Sequence, residues 1–163
     1  MKIVLAGGTF CKSYCPHQGS MIFDRGKALA AFYDIVKFVR FINEPKIAVW
    51  DLVDSREMQT CDREDLYCFC ESLDDDKIVI VHGTDMMEYT LEHFSRKKDL
   101  SKTFVLTGSW VPWAHDKSDA MFNLGYAIAC ADYKKKGAYI AMNGHCFADD
   151  VKKNWKALKY YKD

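Results

Sequence analysis

Apolar and polar positions follow two alternating rhythms along this chain, and the switching between them predicts the architecture. Five short runs rich in strand-forming residues stand out: Lys2–Ala6, Lys46–Leu52, Lys77–His82, Thr103–Thr107 and Ala138–Met142. Between them the period lengthens to that of a helix. Over Gly26–Ile42, residues Leu29, Phe32, Val36 and Val39 recur as one apolar stripe, which predicts a helix packed on a sheet. Asp62–Leu73 places Leu66, Phe69 and Leu73 on one face, and Asp74-Asp75-Asp76 reads as the polar turn before the next strand. Asp85 is the expected N-cap of a helix running through Leu91 and Phe94, with Glu88 as its capping-box partner. Asp119 opens a further helix carrying Leu124, Ala127, Ile128 and Ala131.

Strands and helices alternating at these lengths predict βαβ units. The expected fold is α/β, a three-layer sandwich in which helices cover both faces of a mainly parallel sheet. Three loops are long or odd in composition: Cys11–Ser20, Val53–Thr60 and Ser109–Ser118. All three leave from the carboxyl ends of strands, the rim on which sheets of this kind bind ligands.

Composition narrows the function. The 163 residues suit one domain, 1–163. With 23 basic and 23 acidic residues the net charge is +0, which removes any overall steering toward nucleic acid or an anionic membrane. The run Lys134-Lys135-Lys136 reads as a solvated helix end. No apolar run reaches the roughly 20 residues that span a bilayer, and Lys2–Ala6 is too short for a secretion signal. Seven cysteines, an odd number without C-x-x-C pairs, point to free thiols and a cytoplasmic location. Cys68 and Cys70, two apart on an expected helix, face different ways and make a poor metal site.

Candidate chemistry gathers at two strand ends. Lys2–Phe10 runs from an apolar strand into Gly7-Gly8-Thr9, and Lys77–Glu88 runs from a strand into Gly83-Thr84-Asp85. A threonine hydroxyl needs a base to activate it and preorganised donors for the oxyanion it generates. The glycines expose backbone N–H groups, Asp85 sits beside the second hydroxyl, and Lys152 or Lys153 is a candidate relay base. Each piece has a plainer reading: Gly-Gly-Thr as a tight turn, Thr-Asp as a helix cap, His82 as a hydrogen-bonded structural group, and Cys11, Cys15 and His17 as inert. The chain carries neither G-x-G-x-x-G nor a P-loop lysine pattern.

Taken in order, these segments resemble the bacterial-type L-asparaginases, amidohydrolases that use a threonine nucleophile. Gly7-Gly8-Thr9 is similar to the first family signature and Val81–Asp85 with Met87-Glu88 to the second. Asp54–Met58 is similar to the substrate-binding turn, Val105–Ser109 and Ser118–Leu124 to the fourth strand and the following helix start, and Asp150–Asn154 to the segment bearing the relay lysine. The resemblance implies Thr9 as nucleophile, Thr84, Asp85 and Lys153 as the relay, and Tyr14 as the activating tyrosine. It also implies substrate contacts at Gly8, Ser55, Arg56, Gly83, Asp85 and Ser109, with Ser55 on the α-carboxylate and Asp85 on the α-amino group. No metal or cofactor is implied.

The resemblance covers the amino-terminal domain of the family, and the expected organisation is that domain alone, without the carboxyl-terminal one. Expected partners are a small amino-acid amide and further copies of the chain, as a homodimer or homotetramer, with Trp110, Trp113, Trp155, Tyr160 and Tyr161 as candidate contact aromatics. Arg56 stands where the family usually carries a glutamine or another small polar residue, Ser109–Trp113 replaces a stretch that commonly reads Ala-Met-Arg-Pro, and Phe10 and Met86 are larger than usual. These departures keep open two alternatives, a small-acid binding module without turnover and a hydrolase of a different small substrate.

Overall fold

The computed structural model describes residues 1–148. Six strands form the central sheet: β1 (Lys2–Gly7), β4 (Lys46–Val53), β5 (Lys77–Val81), β6 (Thr103–Thr107), β7 (Gly137–Met142) and β8 (His145–Phe147). The order is β4-β1-β5-β6-β7-β8, parallel throughout except for β8, which turns back against β7. Lys2 pairs with both Lys46 and Ile78, and Lys77 with Thr103, so the parallel strands start level. Their carboxyl ends therefore emerge together at one rim.

Four helices complete the layers: α1 (Arg25–Val39), α2 (Thr60–Ser72), α3 (Met87–Ser95) and α4 (Ala120–Tyr133). Because side chains alternate along a strand, each strand feeds two cores. Val4, Ile78, Ile80, Phe104 and Leu106 meet Leu66 of α2 and Leu91 and Phe94 of α3 on one face. There Phe94 meets Phe104 edge-on with centroids 5.3 Å apart. Ile3, Leu5, Val79, Val81 and Val105 meet Phe32 and Ile35 of α1 and Leu124 and Ala127 of α4 on the other. The expected three-layer α/β fold is the observed one.

Several local expectations are corrected. Cys11–Ser20 is not an open loop: β2 (Lys12–Cys15) and β3 (Ser20–Phe23) make an antiparallel hairpin, pairing Tyr14 with Met21. Along α1 the buried stripe is Ala28, Phe32, Ile35 and Val36, while Val39 at the helix end is exposed. Asp85 is not the N-cap of α3. Met86 holds that position without a side-chain cap, and its N–H donates to the hydroxyl of Ser55, 3.3 Å away. Asp119 does precede α4, but its carboxylate turns back toward the preceding loop instead of capping its own helix. The last turn of α2 is closed from another element, where the buried Lys102 ammonium donates to the carbonyls of Glu71, at 2.7 Å, and Leu73. A cation there also suits the negative end of the helix dipole.

Candidate functional site

Among the parallel strands, β1 lies between β4 and β5, so the chain runs to one side of β1 and then returns to the other. Such a switch in winding direction opens a crevice at the strand ends. Gly8 follows β1 and Gly83 follows β5, and the two backbones touch. A Cβ on Gly8 would lie 2.4 Å from both the Cα and the N of Gly83. Gly8 also has φ +74°, in the left-handed region where a side chain strains the backbone. A Cβ on Gly83 would in turn fall 2.5 Å from the Ser55 hydroxyl. Only bare backbone lets the three turns meet this closely.

Each of the touching glycines is followed by a threonine, so this contact brings two threonine-bearing turns together. Thr9 starts a short 3₁₀ turn, Thr9–Cys11, and is half-buried. Thr84 is buried, and its methyl group would lie 3.4 Å from a Cβ on Gly108 at the end of β6. Ser55, also buried, comes from the turn after β4. Phe10, next to Thr9, stacks on Phe32 of α1 at 4.9 Å and on Trp113 at 6.5 Å. Trp113 is thus a buttress for the first turn, held further by its N–H to the Phe10 carbonyl at 3.4 Å.

Charge lies at the mouth of this cluster. Asp54 is held far below the usual carboxylate range, first by its hydrogen bonds with Arg56 and then by those with Lys12. The Lys12 ammonium sits 2.9 Å from Asp54, and the Arg56 Nε lies 3.5 Å from Asp85. His82 is fully buried. The Gly83 carbonyl, 2.8 Å from its Nδ1, can only accept, which assigns the ring proton to Nδ1 and leaves Nε2 to accept from the Thr90 hydroxyl at 3.0 Å. Burial pushes its pKa down to about 4, so it is a neutral structural group, as its place at the end of a buried strand suggested.

The other expected residues divide. The Ser109 hydroxyl is buried and donates to the Val111 carbonyl at 2.6 Å, shaping its own loop. Tyr14 is 58% exposed on β2, outside the buried cluster. Lys153 lies outside the described residues, as do Lys152, Trp155, Tyr160 and Tyr161. Burial raises the Cys11 thiol to about 12, which leaves Cys11 without a thiolate, and His17 is exposed. Among the described residues no group of three or more His, Cys, Asp or Glu side chains could hold a metal ion.

Asp119 and Asn123, which the sequence placed only at a helix start, turn out to be supporting residues of the site. The Asp119 carboxylate accepts from the N–H groups of Trp110 and Val111, and the Asn123 amide reaches both Asp119, at 2.8 Å, and the Gly108 carbonyl, at 3.1 Å. The Asn123 oxygen also accepts from Asn143 N–H at 2.9 Å. The signal was an Asp and an Asn one helical turn apart on the face that otherwise carries Leu124 and Ala127. Together they fix the exit of β6 beside Thr84.

Residues 1–157 match the family described as asparaginase, N-terminal. The chain belongs to the asparaginase family. It is 37% identical over 76 residues to a glutaminase-asparaginase of Pseudomonas fluorescens biotype A, covering 45% of this chain and 21% of that protein. It is 42% identical over 59 residues to L-asparaginase 1 of Escherichia coli K12, covering 36% and 18%. The thermostable L-asparaginase of Thermococcus kodakarensis shares its fold with a TM-score of 0.70 at 28% identity, over 91% of this chain and 46% of that one. The chain thus spans less than half the length of these relatives.

Proposed function

We propose that this asparaginase-family chain is an amidohydrolase that cleaves the side-chain amide of asparagine or a related small amide, releasing the acid and ammonia. The observation that carries this reading is the Gly8–Gly83 contact, which sets the threonine-bearing turns side by side next to Ser55. In the proposed reaction the Thr9 hydroxyl attacks the amide carbon, and Thr84, Asp85 and Lys153 pass its proton to the leaving ammonia. Backbone N–H groups of the glycine turns meet the developing oxyanion, and water then releases the acyl group from Thr9. Ser55 faces the substrate carboxylate, and Gly8, Gly83 and the backbone around Ser109 line the pocket. Tyr14 is proposed to assist Thr9, its exposed hairpin swinging inward over a bound amide.

Assays of ammonia release from asparagine, glutamine and related amides test the reading. Activity that falls at least a hundredfold in Thr9→Ala and in Thr84→Ala supports it. Undiminished activity in both variants rejects it. No ammonia from any amide, with small acids still bound, marks the chain as a binding module.

We further infer that copies of the chain associate as a dimer or tetramer, with Trp110 near the contact. A cytoplasmic location is proposed on the seven cysteines, all of which are free. No described helix is long and apolar enough to cross a membrane.

A further inference from the structure

Arg56 occupies the mouth of the candidate site in an arrangement with chemical consequences. Its Nε and Nη2 donate to the two carboxylate oxygens of Asp54 at 3.1 and 2.9 Å, and its backbone N–H reaches the same carboxylate at 3.1 Å. The fork is therefore fixed in direction by its own turn. Held this way, it presents Nε to the Asp85 carboxylate at 3.5 Å. Lys12 adds a second cation 2.9 Å from Asp54. Among the described residues, Asp54 and Asp85 thus already face the cations Arg56 and Lys12 across the mouth.

That balance bears on the substrate. A free α-ammonium group placed on Asp85 would have to share its counter-charge with a guanidinium already there, and would lie within a few ångströms of a like charge. An uncharged group at that position meets no such opposition. There is also space beside it, because Arg56 and Met86 line a cleft of about 500 Å³ that continues past Tyr89 to Arg63 and Arg96. The buried Arg63 gives one N–H to the Met58 carbonyl at 2.8 Å, while its Nε has no hydrogen-bond partner among the described residues. A carbonyl-bearing substituent entering this cleft would meet the exposed guanidinium groups of Arg56 and Arg96 on its wall.

We propose that Arg56, acting through Asp85, is a specificity-determining residue that turns the site away from free amino acids and toward ω-amides of small carboxylic acids lacking a free α-ammonium. The carbon next to the carboxylate is then either unsubstituted, as in succinamic acid, or carries an acylated nitrogen, as in N-acetyl-L-asparagine. This rests on the amidohydrolase reading for turnover, but recognition of the acid does not depend on turnover. Arg56 is a positioning residue here, since it sets the charge that Asp85 offers.

The full chain is assayed for ammonia release from succinamic acid, N-acetyl-L-asparagine and L-asparagine. In parallel, calorimetry measures binding of succinate, N-acetyl-L-aspartate and L-aspartate. The proposal expects kcat/KM at least tenfold higher for succinamic acid or N-acetyl-L-asparagine than for L-asparagine, with the corresponding acids binding in the same order. A preference confined to the first identifies the unsubstituted class, and one confined to the second the acylated class. Arg56→Gln should reverse the order, and Arg56→Lys, which keeps the charge, should retain it.

An L-asparagine or L-aspartate preference in the unaltered chain overturns the proposal, as does an order unchanged in Arg56→Gln. Absence of turnover for all three amides defeats the amidohydrolase reading alone, and the binding order then decides this proposal. Failure of all three acids to bind overturns it.

Discussion

At the scale of single residues, His82 shows how a group that looks catalytic in sequence serves the framework. It stands one residue before the touching Gly83, yet both ring nitrogens are committed and its pKa is held at about 4 by burial. In the unfolded chain it would titrate near 6.5, so the unfolded state binds the extra proton first as the pH falls. Stability from this group is complete above about pH 6.5 and declines as the pH drops toward about 4, by about 3 kcal/mol in all. Urea unfolding at pH 7.5, 6 and 5 should show that decline, and His82→Gln should flatten it across the same interval. The environment behind this was only partly legible: the apolar run Ile78–Val81 announced burial, but the Thr90 partner on α3 is a tertiary contact.

At the scale of elements, the strands were legible because each is a compact β-branched run, and all five expected ones appear within a residue of their predicted limits. The hairpin β2–β3 was not, because Pro16 and Gly19 punctuate so short a stretch that turn signals outweigh its alternation. The start of α3 misled for a different reason. A cap was expected from Asp85 within the segment, whereas the acceptor for Met86 N–H is Ser55 from a distant turn. The same borrowing governs α4, whose Asp119 serves the loop before it. Asp119→Ala should remove acceptors from Trp110 and Val111 N–H and from the Asn123 amide, costing about 2–3 kcal/mol. Thermal melts measure that loss, and in an active enzyme kcat should fall further than stability alone explains.

At the scale of the whole molecule, the winding order places the candidate site before any side chain is considered. The sheet reverses direction around β1, and the turns that meet there come from β1, β4 and β5. Sequence alone supplied the alternation and both glycine-threonine turns, but the contact between them depends on which strands become neighbours, and no local pattern states that. The proposed association of copies is also a property of this scale. Size-exclusion chromatography with light scattering should return a dimer or tetramer, and a monomer at high concentration would rule it out.

The touching glycines carry a kinetic consequence. Positions 8 and 83 are joined through the chain by the hairpin, two helices and the strands β4 and β5, so their meeting is among the long-range closures of the fold. Closures of that kind set the pace of folding in parallel sheets. No partially folded intermediate with β1 and β5 still apart can hold a ligand between these turns. Ligand binding there would therefore report completion of the sheet centre, and a bound acid would stabilise the entire domain by mass action.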